Sequence, residues 1–256
     1  EPSESPYTSP AFFRKKKNND LRLILDYKNI NNYIEDDSFV LPKIDDCLQE
    51  MGENTYFSQL DLQNGFNQIR ISDESRKYTS FMLLGRQYQY KRIPFGIKPG
   101  PKIFQRYITN ILHDVPNCFV YIDDIVIYSK TKDEHAKYLT LVLETLLENN
   151  VRINFEKSNF FTEELIVLGY KVNSTGIYPL TNPLENEIFE REIRTRKDVQ
   201  RPIGTLNWYR KFVPKLSSRI HEITNLLRKN ETPIKFSEGM KKMVADIKTE
   251  IIQNAK

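Results

Sequence analysis

Two adjacent carboxylates, Asp123 and Asp124, stand between two strongly apolar, β-rich runs, Phe119-Val120-Tyr121-Ile122 and Ile125-Val126-Ile127-Tyr128. The runs predict a pair of strands joined at the aspartates. Tight hairpins favour Asn-Gly or Asp-Gly, where positive φ is cheap, whereas Asp-Asp adds like-charge repulsion and no glycine. A cation would relieve the repulsion; from Tyr121-Ile122-Asp123-Asp124 alone, two solvated turn residues are an equally good reading. A second acidic position shifts the balance. Asp61 ends another apolar run, Ser58-Gln59-Leu60-Asp61-Leu62, and a strand there can bring it beside the hairpin tip. Alone, such an aspartate is more often a turn or cap residue. Three converging carboxylates suit Mg²⁺, which prefers oxygen ligands and binds through a few carboxylates plus substrate phosphates and water. That arrangement predicts phosphoryl transfer, in which two ions about 3.5–4 Å apart activate a hydroxyl and stabilise the leaving oxygen.

The remaining pattern is mixed. Leu21 to Tyr27 predicts a strand of a hairpin whose tip is the basic loop Arg14 to Asp20. Ile44, Cys47, Leu48 and Met51 recur at helical spacing between Pro42 and Gly52. Tyr56 to Leu62 and Gln68 to Ile71 predict strands, as do Ser80 to Leu84 and Tyr88 to Arg92 around Gly85-Arg86. Apolar stripes predict helices over 102–114 and 134–149, and the pattern from about 185 onward is almost purely helical. A subdomain boundary is therefore expected near Gly176 to Pro179. At 256 residues and 39% hydrophobic, the chain can bury a substantial core. No apolar run approaches the roughly 18 residues of a membrane span, and the first ten residues lack the pattern of a signal peptide. The expected setting is intracellular, cytoplasmic (including virus-like particles) or nuclear, with no membrane partner. Cys47 and Cys118 lack a CxxC neighbour and read as buried free thiols.

The ordered motifs resemble reverse transcriptases of gypsy-type long-terminal-repeat retrotransposons, relatives of retroviral polymerases. The likeness runs through Ser9-Pro10, Lys15-Lys16-Lys17, Leu25-Asp26-Tyr27-Lys28, Leu41-Pro42-Lys43-Ile44-Asp45 and Phe57-Ser58-Gln59-Leu60-Asp61-Leu62 with Gly65-Phe66 and Gln68-Ile69-Arg70. It continues in Pro94-Phe95-Gly96, Pro101 with Phe104-Gln105, Tyr121-Ile122-Asp123-Asp124, Leu168-Gly169 and Asn207-Trp208-Tyr209-Arg210-Lys211-Phe212. A lone YIDD is weak; this series is specific and covers nearly the whole chain.

The resemblance implies an α+β right-hand polymerase with fingers, a ferredoxin-like palm and a helical thumb. Fingers would occupy 1–35 and 69–98, palm 36–68 and 99–178, and thumb 179–230, with 231–256 starting a connection or RNase H-like region. The implied activity is RNA-directed DNA polymerisation, adding deoxynucleotides to a primer 3′ end. Asp61, Asp123 and Asp124 would be catalytic and would hold two Mg²⁺, replaceable by Mn²⁺, with the Leu62 carbonyl a further ligand. Lys16 and Arg22 match residues that hold the incoming triphosphate, although three lysines alone more commonly mean a solvated loop. Phe66 matches an aromatic beneath the nucleotide sugar, where an added ribose hydroxyl would collide. Phe95 and Gly96 match a loop contacting nucleotide and template, and Leu168, Gly169 and Tyr170 a hairpin gripping the primer end; an ordinary turn and a buried strand are their plainer readings. Implied partners are an RNA or DNA template with primer, deoxynucleoside triphosphates, and RNase H, integrase and protease domains of a Pol polyprotein, of which this chain would be a fragment.

Charge is unevenly spread. The net +4 conceals a segment, 190–229, with eleven Lys/Arg against four Asp/Glu. Trp208, Tyr209, Arg210 and Lys211 lie there, a basic and aromatic set suited to a phosphate backbone, although such a run is also compatible with a solvated face and Trp208 with a core. Two departures from the family bear on activity: Lys102, where a small residue is common, and Pro202 inside the expected thumb helix, which requires a later helix start or a bend. They leave open a catalytically decayed or domesticated domain that binds nucleic acid without extending it, and a structural subunit for an active partner.

Overall fold

The structure, a computed structural model, describes residues 1–15, 19–181, 193–228, 234 and 236–254. The chain forms two compact units, Glu1–Leu165 and Ile166–Lys256.

The first unit opens with the basic hairpin. Strands β1 (Ala11–Lys15) and β2 (Leu21–Leu25) pair antiparallel from Ala11↔Leu25 to Lys15↔Leu21. The short helix α1 (Lys28–Asn31) follows. Helix α2 (Ile44–Met51) buries Cys47, Leu48 and Met51, the expected stripe, and ends at Gly52. Strand β3 (Tyr56–Leu62) leads into a 3₁₀ turn over Gly65–Gln68 and the short helix α3 (Asp73–Arg76). Strands β4 (Phe81–Leu83) and β5 (Arg86–Tyr88) form a second hairpin. Helix α4 (Gly100–Ile111) starts two residues before its expected place because Pro101 fits the first turn, where no backbone donor is needed. Strands β6 (Cys118–Tyr121) and β7 (Asp124–Ser129), helix α5 (Lys132–Glu148) and strand β8 (Ile153–Thr162) complete the unit.

Four of these strands form one antiparallel sheet in the order β6-β7-β3-β8. Alternation along the strands places Leu60 and Leu62 of β3 and Ile125 and Ile127 of β7 in one core, with Phe104 and Ile108 of α4 and Val142 and Leu146 of α5. Each such side chain contributes about 1.5–3 kcal/mol on burial. The sheet is thereby fixed in register: a one-residue slip would turn this apolar set outward.

The second strand of the β4–β5 hairpin lies at Arg86–Tyr88 rather than at Tyr88 to Arg92, its turn falling on Leu84-Gly85; two further strand expectations are corrected. Gln68 to Ile71 is not a strand, because Asn64 adopts a left-handed conformation and Gly65 follows with φ +25°, coiling the chain into the 3₁₀ turn. Only Arg70 makes a bridge, to Arg92. The second is Asp124, which lies in β7 itself, so the turn falls on Ile122 and Asp123 rather than on the two aspartates.

In the second unit, β9 (Glu164–Val167), on which the division falls, β10 (Tyr170–Asn173) and β11 (Gly176–Pro179) form a sheet in the order β11-β10-β9. The division thus precedes the expected boundary at Gly176 to Pro179, which falls within paired strand β11. Helix α6 (Arg196–Trp208) begins in a capping box, with Thr195 and Asp198 satisfying each other's backbone donors. Pro202 lies inside α6, buried, and does not mark its start. Helices α7 (Leu216–Arg219), α8 (His221–Leu226) and α9 (Glu238–Asn254) follow. Val199, Ile203 and Leu206 of α6, Leu216, Ile223, and Ile247 and Ile251 of α9 share one core. Residues 238–254 therefore pack with the preceding helices. Among the described residues no helix is long and apolar enough to cross a membrane.

Candidate active site

The antiparallel register of β3 with β7 sets Asp61 directly opposite Asp124, and Asp123 occupies the adjoining turn. Opposed like charges are unfavourable in a sheet, and all three carboxylates are only partly exposed. Burial, then the charge of Asp124, then that of Asp61 raise the Asp123 carboxyl above the usual range. Asp124 is raised by burial and by Asp61, and is eased by Gln59, whose Nε2 donates to Asp124 Oδ1 at 2.8 Å.

The turn carrying Asp123 is strained and held. Ile122 has φ +52°, a conformation that β-branched residues rarely adopt. Gln105 of α4, fully buried, clamps it: its Nε2 donates to the Val120 carbonyl at 2.7 Å, and its Oε1 accepts from the Ile122 N–H at 2.5 Å. Asp123 is turned toward Gly65, where an added Cβ would lie 2.7 Å from Asp123 Oδ1. That oxygen is buried and has no hydrogen-bond partner among the described residues. On the other edge of β3, the β8 pairing jumps from Gln59↔Asn159 to Asp61↔Asn154, a bulge from which Ser158 Oγ accepts the Asp61 N–H at 3.0 Å. Bulges of this kind re-aim strand residues beside active sites.

The donor set fits a hard divalent cation. Crowded carboxylates and an orphaned buried oxygen are what a cation would satisfy. Among the described residues, however, no three His, Cys, Asp or Glu side chains already stand as a ligand group. Register sets Asp61 opposite Asp124, with Asp123 in the adjoining turn. Leu62 ends β3 with its side chain in the core, which leaves its carbonyl as the only group it can offer.

Several other expected residues also cluster. Phe66, nearly buried, meets Phe95 edge-on at 5.1 Å and Phe104 at 5.2 Å. The Arg22 guanidinium lies 5.4 Å from the centre of the half-exposed Phe95 ring. Gly96 has φ +97°, and its carbonyl accepts from Asn31 Nδ2 at 2.8 Å. Lys16 lies outside the described residues. In the second unit Leu168 and Gly169 both have positive φ, and Tyr170 stacks on Trp208 at 5.6 Å. Tyr209 is buried, with its hydroxyl donating to the Leu180 carbonyl at 2.6 Å, whereas Arg210 and Lys211 are exposed. Lys102 is engaged: its Nζ pairs with Asp36 at 3.0 Å and donates to the Asp37 carbonyl at 2.9 Å.

Gln59, Ser158 and the clamp role of Gln105 carry no signature in the sequence pattern. Their partners lie 65, 97 and 17 residues away, beyond any local pattern. The only signal was the placement of Gln59 and Gln105 within the quoted motifs.

Comparison with known proteins identifies the family and the fold. Residues 14–172 match the family described as reverse transcriptase (RNA-dependent DNA polymerase). The retrovirus-related Pol polyprotein from transposon opus of Drosophila melanogaster is 37% identical over 94% of this chain and 25% of its own length. The transposon Tf2-3 polyprotein of Schizosaccharomyces pombe is 32% identical over 86% of this chain and 17% of its own. The chain thus spans about a quarter or less of these relatives. Among solved structures, a foamy viral protease-reverse transcriptase in complex with double-stranded DNA aligns with a TM-score of 0.90 at 26% identity, over 98% of this chain and 45% of that one. The same viral protein with an RNA/DNA hybrid aligns with a TM-score of 0.82 at 27% identity, over 98% of this chain and 34% of that one. The fold is therefore the right-hand polymerase fold, and the chain belongs to the reverse transcriptase family.

Proposed function

We propose that this chain is the polymerase part of a retrotransposon Pol polyprotein and extends a primer on an RNA or DNA template with deoxynucleoside triphosphates. The observation that carries this reading is the register that sets Asp61 opposite Asp124 with Asp123 beside them. The family uses divalent metal ions; here Asp61, Asp123, Asp124 and the Leu62 carbonyl would hold two Mg²⁺, which Mn²⁺ can replace. Bound there, the cations would neutralise charge on the reacting phosphate and favour the attacking hydroxylate. The chain's own part is positional. Gln105 holds the Asp123 turn, Gln59 orients Asp124 and Ser158 fixes the Asp61 backbone, so the segments that carry the carboxylates are held in place. Phe66, braced by Phe95 and Phe104, would lie under the nucleotide sugar and exclude a ribose hydroxyl. Arg22, with Lys16, would meet the triphosphate, and Phe95-Gly96 the nucleotide and template. Leu168, Gly169 and Tyr170 would grip the primer end.

We assign fingers to 1–35 and 69–98, palm to 36–68 and 99–178, and thumb to 179–230; the shared core supports adding α9 to the thumb. Trp208 and Tyr209 would shape the thumb, and exposed Arg210 and Lys211 would face phosphates. The test is extension of a DNA primer on RNA. Activity should require Mg²⁺ and fall at least 1,000-fold, roughly 4 kcal/mol of barrier, in Asp123→Asn. Extension surviving that change would sink the assignment.

A further inference from the structure

A cleft of about 920 Å³ in the first unit is lined by polar side chains and three arginines, Arg70, Arg92 and Arg152. These come from three chain segments: the stretch after the 3₁₀ turn, the stretch after β5, and the link between α5 and β8. Arg70 and Arg92 form an antiparallel bridge. The Ile71 N–H donates to the Lys91 carbonyl and the Ile93 N–H to the Ile69 carbonyl, so the arginines occupy the non-hydrogen-bonded position, where cross-strand side chains come closest. Like charges directly opposed there are destabilising. Among the described residues none of the three makes an ion pair with a carboxylate; Arg92 donates only to the Gln68 carbonyl, at 2.5 Å.

The cleft is also built. Gln68 Nε2 donates to the carbonyls of Gln63 and Arg152 at 2.7 and 2.9 Å, and its Oε1 accepts the Arg152 N–H at 2.7 Å. This one amide fastens the Gln63–Gln68 loop to the start of β8 and holds the Arg152 backbone at the cleft that the arginine pair also lines. The loop has two faces. Gly65 points at Asp123, whereas Gln63, Asn64, Asn67 and Gln68 line the cleft. The cleft is thus separate from the carboxylates, none of which lines it.

We propose that this cleft binds a small polyphosphate, a nucleoside triphosphate or pyrophosphate, at a site distinct from the polymerase centre. Three arginines lining one concavity suit phosphate oxygens, which guanidiniums bind in bidentate pairs. The volume suits a nucleotide, and Tyr107 and the exposed Leu147 offer an apolar wall for a base. Gathering three arginines in one cleft favours a compact ligand over a polynucleotide, which arginines aligned in a track would suit better.

The test is calorimetric titration of the 256-residue chain in EDTA, so that no divalent cation bridges phosphate to the aspartates. ATP should bind and adenosine should not. Tighter binding of ATP than pyrophosphate identifies a nucleotide site, and equal binding a site for the polyphosphate alone. The pair Arg70→Gln with Arg152→Gln should weaken ATP at least tenfold with a melting temperature that does not fall, Arg70→Lys with Arg152→Lys should retain most affinity, and Asp123→Asn should retain all of it. Undiminished binding in the glutamine pair, equal binding of adenosine, or loss on Arg22→Ala overturns the proposal. So does preferential binding of a single-stranded oligonucleotide that the glutamine pair abolishes, which would assign the arginines to a nucleic-acid backbone.

Discussion

At the scale of single residues, the carboxylate site is held in a state its own charges oppose. The Asp123 carboxyl is raised by burial and by its acidic neighbours, so the folded chain keeps that proton to higher pH than the unfolded chain does. Its contribution is therefore favourable below the unfolded value of about 3.9 and is lost as pH rises through the folded one. Asp123→Asn should raise the melting temperature at pH 7 without divalent cations by roughly 2–4 °C, about 1 kcal/mol. The gain should vanish near pH 4; thermal melts at the two pH values check it. Gly65 is constrained differently, by φ +25° and by the carboxylate in front of it. Gly65→Ala should displace Asp123 and cut primer extension at least tenfold while costing about 1 kcal/mol of stability. A variant with full activity would show that Asp123 does not depend on that gap.

At the scale of elements, a buried histidine joins four of them. His135 of α5 meets Ser58 Oγ of β3 at 2.7 Å and Ser129 Oγ of β7 at 3.0 Å, and Ser58 Oγ accepts the Phe161 N–H of β8 at 3.1 Å. Burial lowers its proton affinity, so below about pH 6.5 the unfolded chain takes up a proton that the folded chain refuses. Stability should fall by up to about 1.4 kcal/mol per pH unit from there downward. His135→Gln should lower neutral stability by about 1–3 kcal/mol and flatten this acid slope, which urea titrations at pH 7.5, 6.5 and 5.5 would register. None of this was legible in the sequence, because the partners are 77 and 6 residues away and a lone histidine carries no periodic signal. The acidic residues were legible, since a carboxylate ending an apolar strand conflicts with its surroundings and asks for a reason. The helices were legible through their stripes. Gln68 to Ile71 misled because its alternation suits a strand, while the φ values of Asn64 and Gly65, which decide the path, leave no mark on that alternation.

At the scale of the whole molecule, the charge divides as the chain does. Residues 166–256 carry 17 Lys/Arg against 10 Asp/Glu, a net +7, whereas residues 1–165 carry 21 against 24, a net −3. The basic unit suits phosphate backbones, so affinity for primer–template should fall steeply with salt. Arg210→Ala should weaken binding alike for all sequences and reduce the log–log salt slope by about 1, measurable by fluorescence anisotropy. An unchanged slope would remove Arg210 from the interface. Within that unit the hairpin turn and helix α6 meet at one point: a Cβ on Gly169 would lie 3.1 Å from Trp208 Cζ2. The two positions, 39 residues apart, are therefore not free to vary separately. A side chain at 169 would ask the indole at 208 to yield by a few tenths of an ångström while holding φ +84°, so the packing of helix α6 and the conformation of the turn are set by one and the same contact.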